Sequence, residues 1–177
     1  MEFKKLMEVI KGRRSIRRFT DKTLERETLC QLVEAGCWAP SGGNAQAWVF
    51  IVYNDRQNMK KFLRFSPGLF EVPGGMIFVC SDKERAYQKS GLLGRDVMAA
   101  MDASMAGQNI MLAAHAMGLG SCVLKGFDHD AAKILMNLPE HINPEMLIIL
   151  GEPKSLPKAP ARRPLSEIMH YEKWEVK

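Results

Sequence analysis

The chain has 177 residues, 46% hydrophobic and 25% charged, which is enough apolar material for one buried core and too much for a disordered chain. No apolar run approaches the roughly 20 residues that cross a membrane, and the N-terminal MEFKKLMEVIKG alternates charged and apolar residues, so neither a membrane span nor a secretory leader is expected and a cytoplasmic location is. The net charge of +5 is concentrated in KGRRSIRR at residues 11–18 and KAPARR at 158–163. These two segments either meet on one anion or are separate solvated surfaces.

Phe3, Leu6, Met7 and Ile10 recur at helical spacing, so a first amphipathic helix is predicted over 2–11, ending near Gly12. Residues 13–20 read as a loop or extended stretch. A second helix is predicted over 24–37, burying Leu29, Leu32 and Val33, with a turn at Pro40 and Gly42-Gly43. The run WVFIVY at 48–53 predicts a buried strand, 55–65 a helix, MIFVC at 76–80 a second buried strand, SCVL at 121–124 a shorter strand and EMLIIL at 145–150 another. The longest periodic segment, 93–117, has no proline and would be roughly 40 Å long as one helix. Val97, Met98, Met101, Met105, Ile110, Met111 and Leu112 surround it, and a helix apolar on most faces is buried on most faces. One chain of this size leaves little room for that, so a subunit interface is expected to supply the cover. The tail at 153–164 carries four prolines and precedes a short helix at 165–170. It is either a disordered end or an arm laid over a partner. No internal repeat or linker divides the chain, so one domain over 1–177 is expected, with an arm from about 153 to 177.

Four segments carry candidate chemistry. In RRSIRR, alternate side chains of an extended strand share a side, which puts Arg13, Ser15 and Arg17 together. Two guanidinium forks flanking a hydroxyl suit a phosphate; a basic surface loop, even one touching nucleic acid, reads equally from composition. APSGGNAQAW at 39–48 has glycines that allow close backbone approach to a flat ligand, and polar groups on Ser41, Asn44 and Gln46, or it is a plain helix-to-strand turn. In GLGSCVLKGFD at 118–128, Gly118 suits a helix end and Asp128 a helix cap. Arg162 and Arg163 end the proline-rich stretch as a second clamp or a solvated pair. Cys30, Cys37, Cys80 and Cys122 form no C-x-x-C pair and have no histidine at ligand spacing, so reduced, partly buried thiols are expected, with no metal site and no disulfide.

RRSIRRF, APSGGNAQAW, GLGSCVLKGFD and ARRPL, in that order and spanning nearly the whole chain, resemble the nitroreductase family of FMN-dependent enzymes. The resemblance implies an α+β fold with a mixed β-sheet flanked by helices, in an intertwined homodimer with FMN at the subunit boundary. It implies that Arg13 and Ser15 contact the FMN phosphate and ribityl chain with Arg14 close by, and that Arg17 reaches the pyrimidine edge. Pro40, Ser41 and Asn44 would line the ring from the opposite subunit. Leu124, Lys125 and Gly126 would lie against the ring, where a backbone N–H can bond N5, and Arg162 and Arg163 would hold the phosphate. The implied activity is ping-pong transfer of hydride from NADH or NADPH, through FMN, to a small electron-poor acceptor such as a nitroaromatic or quinone. The reacting atom is the flavin's, so no protein acid or base is named. A specialised relative would instead carry out dehalogenation, dehydrogenation, flavin breakdown or flavin storage, and a basic nucleic-acid-binding module is the remote alternative. Ala47 stands where the family usually has proline, residues 55–75 match nothing, and the chain is short for the family.

Overall fold

The computed structural model describes residues 2–174; Met1 and the last three residues of the expected arm lie outside the described residues. Strand β2 (Gly75–Asp82) is buried along nearly its whole length. It pairs antiparallel with β1 (Trp48–Tyr53) on one side and with β4 (Ile142–Gly151) on the other, and β4 pairs antiparallel with β3 (Gly120–Leu124), giving the order β1-β2-β4-β3. The mixed sheet of the resemblance is thus reduced to antiparallel strands, with one parallel bridge between Ser15 and Ser121 at the β3 edge.

Side chains alternate across these strands, and each face has its own cover. Met76, Phe78, Cys80, Leu147 and Ile149 meet Met59 of α3 (Arg56–Lys60), Phe62 of the following 3-10 turn, Ala132 of α6 (His129–Met136), and Ile16 and Phe19. Phe62, Phe78 and Phe127 continue the contact as an aromatic chain. On the other face, Ile77, Val79, Ile148 and Leu150 meet Leu29 and Leu32 of α2 (Arg26–Cys37), and Ala103, Ala106, Ile110 and Ala114 of α5 (Ala99–Ala116). The small residues of α5 let it lie close to the sheet.

The outward faces are different. Helix α1 (Phe3–Gly12) buries no residue, and Phe3, Leu6 and Ile10 are exposed. On α5 and the turn before it, Val97, Met101 and Met105 are exposed, Met101 by 57%. The tail carries α7 (Leu165–Ile168), and Leu156, Leu165, Ile168, Met169, Tyr171 and Trp174 along it are also exposed.

Several expectations need correction. Strand β1 is a half-buried edge rather than a buried strand, because no strand among the described residues pairs with its outer side. Helix α4 (Lys83–Leu93) was not expected, since its sequence is polar and only Ala86 is buried. The 93–117 helix opens with a π-helical turn over Gly94–Met98 that runs on into α5, after a kink at Ser90 and Gly91, and Gly94 packs so close that a Cβ would run into the Ala86 carbonyl. Cys30 and Cys37 are exposed on α2, whereas Cys80 and Cys122 are buried as expected, and all four are free.

Candidate cofactor site

The basic stretch is held extended along β3. The Ile16 N–H donates to the Ser121 carbonyl at 2.9 Å, and Ile16 and Phe19 are sunk into the core. Arg13, Ser15 and Arg17 converge on the buried thiol of Cys122, whose pKa is raised by burial against the opposing pull of Arg17, a hydrogen bond with Ser15, and Arg13. Arg13, Arg14 and Ser15 meet Pro157, Lys158, Pro160 and Arg162 around a cavity of about 260 Å³. Three arginines, a lysine and a serine therefore line one small space.

Arg14, Arg18 and Arg163 have other partners. One Arg14 nitrogen donates to the carbonyls of Lys11 at 2.6 Å, Gly12 at 3.0 Å and Arg13 at 2.9 Å, closing the C-terminus of α1 where a cation suits the helix dipole. Arg18 pairs with Glu71 at 3.2 Å and lies over Phe70. Burial tends to raise the Glu71 pKa, but the Phe19 N–H, Arg18 and Lys154 together lower it. Arg163 pairs with Glu167 at 3.2 Å, one turn along α7, rather than lining the cavity with Arg162.

The glycine turn is a rigid platform. The Gly42 N–H donates to both Asp102 oxygens, at 3.2 and 3.1 Å, and the Gln46 N–H donates to Ser41 Oγ at 3.0 Å. The Gln46 side-chain amide donates to Asn44 Oδ1 at 3.0 Å, and the Arg85 guanidinium donates to the Ala45 carbonyl at 2.6 Å. Gly43, Asn44 and Gln46 have positive φ on either side of a right-handed Ala45, and for the two non-glycines these hydrogen bonds offset the conformational cost. Asp102 is buried, and burial raises its pKa despite the Gly42 N–H. Pro40 and Asn44 are exposed and Ser41 is half-buried, and residues 40–44 do not line the cavity around Arg13.

At the other end of β3, Leu124 is buried while Lys125 and Gly126 are exposed, and a Cβ on Gly126 would meet nothing within 4 Å. Beneath them lies Glu145. Val79 pairs with Met146 and Cys80 with Pro144, so Glu145 is the unpaired residue of a β-bulge. A bulge re-aims a side chain, and this one turns a carboxylate inward. Ser81 Oγ donates to it at 2.5 Å, Asn143 Nδ2 at 3.0 Å and Lys83 Nζ lies at 3.2 Å, with Lys125 Nζ at 3.8 Å from its other oxygen. Burial tends to raise the Glu145 pKa, yet Ser81, Asn143 and Lys83 outweigh it and hold the carboxylate charged.

A sequence model of the nitroreductase family matches residues 10–75 and 66–152. The chain belongs to the nitroreductase family. It is 31% identical to a putative NADH dehydrogenase/NAD(P)H nitroreductase of Methanothermobacter thermautotrophicus, an alignment covering 96% of this chain and 87% of the relative. It is 27% identical to an FMN reductase (NADPH) of Bacillus subtilis, over 96% of this chain and 74% of that one. A crystal structure of a nitroreductase family protein from Clostridium difficile superposes with a TM-score of 0.85 at 28% identity, covering 98% of this chain and all of the other.

In this nitroreductase-family chain the structure thus brings Arg13, Arg14, Ser15 and Arg162 together, leaves Arg17 outside that cavity but within electrostatic reach of Cys122, and sets Pro40, Ser41 and Asn44 apart from them. Asp102 and Glu145 were missed by sequence reasoning. Asp102 had a signal, a lone carboxylate in an apolar helix; Glu145 had none, because a bulge leaves no mark on the apolar pattern.

Proposed function

We infer that this chain is an FMN-dependent oxidoreductase that passes hydride from NADH or NADPH to a small electron-poor acceptor, and that it works as a homodimer with FMN at each subunit boundary. The observation that carries this reading is the convergence of Arg13, Ser15 and Arg162 on one cavity. A phosphate dianion fits that donor set, since charge-assisted and bidentate hydrogen bonds are the strong ones. Arg13, Ser15 and Arg162 hold the phosphate, and Arg14 shapes the pocket by fixing the end of α1. Arg163, held by Glu167, stands beside this clamp rather than in it. Arg17 faces the pyrimidine edge, where a cation favours the added negative charge of reduction. Leu124, Lys125 and Gly126 present backbone to the ring, and the open space over Gly126 suits a flat ligand.

Pro40, Ser41 and Asn44 of the partner subunit close the ring from the other side. Support for the dimer is the apolar surface that a lone chain leaves in water on α1, on α5 and along the arm. The domain is one unit with its arm on the partner. When bound, FMN supplies the hydride and electron chemistry. For a nitro acceptor the balance is NAD(P)H, a proton and the nitro compound giving NAD(P)⁺, the nitroso compound and water.

The test is direct. The purified protein should be yellow and release about one FMN per subunit, NADH or NADPH should bleach it anaerobically, and a nitroaromatic or quinone should restore the colour. A colourless protein that FMN does not reconstitute, or a flavin that neither nucleotide reduces, overturns the reading.

A further inference from the structure

The Glu145 cluster holds an unbalanced charge. One buried carboxylate faces two ammonium groups, Lys83 at 3.2 Å and Lys125 at 3.8 Å. Lys83 is the committed partner, with its side chain only 27% exposed and its nitrogen on the oxygen that also accepts from Ser81 and Asn143. Lys125 is 61% exposed and beyond hydrogen-bond range. Glu145 is thus committed to Lys83, which leaves Lys125 the more loosely held and more exposed of the two cations. Nearby, His129 is stacked on Phe127 and its pKa is lowered by burial and by Lys125, against the pull of Glu145, Asp130 and Asp128. The Asp128 carboxylate accepts a hydrogen bond from the Ala131 N–H at the start of α6.

This cation stands beside the open backbone of Gly126, where a Cβ would touch nothing. We propose that Lys125 selects acceptors bearing a negative charge, such as a nitroaromatic carboxylate, and that buried Glu145 sets the strength of that selection as its counter-charge. The proposal rests on the reading that Lys125 and Gly126 lie against the flavin ring. A carboxylate on the acceptor would pair with an ammonium already part-neutralised from below. Removing the charge beneath should strengthen the attraction above, and removing Lys125 should abolish it. Glu145 is a positioning and tuning residue, because it acts only through the lysine.

The experiment compares 4-nitrobenzoate with 4-nitrobenzamide, of nearly the same shape, as acceptors for the FMN holoenzyme under anaerobic conditions. The readout is the ratio of their kcat/KM values. In Lys125→Met the ratio should fall about fivefold, chiefly through the KM of the benzoate, as expected for an ion pair open to solvent. Lys125→Arg should keep it within about twofold of the parent. In Glu145→Gln the ratio should rise, opposite in sign to Lys125→Met. General damage to the site would lower both. An unchanged ratio in Lys125→Met, an arginine variant no better than methionine, or a fall in Glu145→Gln overturns the proposal. The two lysine variants leave the buried hydrogen bonds intact and decide the matter even where Glu145→Gln does not fold. Failure of the underlying reading is distinct, since then the parent protein holds no FMN or its flavin is not bleached by either nucleotide.

Discussion

The cavity around Arg13 and the turn around Asn44 are built in opposite ways. The first is closed within one chain, since Arg13, Arg14, Ser15 and Arg162 all face the same 260 Å³ space. The second is a platform whose hydrogen bonds are internal, with Pro40 and Asn44 exposed and nothing of the Arg13 cavity opposite them. Under the proposed reading, the phosphate end of the site is complete in each subunit, while the ring end is incomplete until a second copy arrives. Affinity for the anion should then be a property of the chain, and enclosure of the ring a property of the dimer.

The largest expected effect comes from breaking the second half alone. Met101→Lys places a charge on the exposed face of α5, away from the cavity and the sheet. A charge at the centre of an apolar interface costs several kcal/mol, so the variant should elute as a monomer and lose most of its FMN. For a protein that functions as a single chain, the same exposed substitution would be neutral within about 0.5 kcal/mol.

Next is the first half. Arg13→Ala removes a charge-assisted hydrogen-bond donor and should weaken FMN binding about tenfold to a hundredfold. Arg18→Ala should change it less than about twofold, since Arg18 is occupied by Glu71 and Phe70. Fluorescence titration of apoprotein with FMN checks both. Equal losses would mean that the stretch is not held as described.

The separation of Arg13 and Ser15 from Arg18 was legible in the sequence, because alternation follows from an extended backbone. So were β2 and β4, whose apolar runs are unbroken, and the long helix over 93–117, whose surplus apolar residues had nowhere to go in one chain. Helix α4 was not, because its stripe is weak and only its cap marks it: Asp82 accepts from the Arg85 N–H at 2.8 Å. The inward aim of Glu145 depends on a register shift between Val79 and Cys80, a property of strand pairing rather than of composition. The fold was therefore more legible than the site, whose buried carboxylates answer to tertiary placement.

Those carboxylates give a smaller, pH-dependent effect. The folded pKa of Glu145 lies below its unfolded value, so its stabilisation is present above about pH 4.5, the ordinary glutamate value, and is lost as pH falls through the folded value. Asp102 has the opposite sign: its folded pKa is raised, so its ionisation opposes folding at neutral pH and that cost fades as pH falls through the raised value toward 3.8. Thermal melts from pH 7 to pH 3 should show a steeper acid decline in the parent than in Glu145→Gln. The Asp102→Asn variant, which keeps an acceptor for the Gly42 N–H, should decline at least as steeply as the parent.

The smallest effect should come from Arg14→Ala. Losing the cation at the end of α1 should cost about 0.5–1 kcal/mol of stability, visible as a shift in the melting temperature, with a lesser loss of FMN affinity than Arg13→Ala.

The central claim is that one chain holds the phosphate and two chains enclose the ring. Light scattering with simultaneous flavin absorbance, on the parent and on Met101→Lys, tests it most directly. The parent should run as a dimer carrying two FMN, and the variant as a monomer with its flavin largely gone. A monomeric parent that holds FMN, or a monomeric variant that retains it as tightly as the parent, would contradict the account.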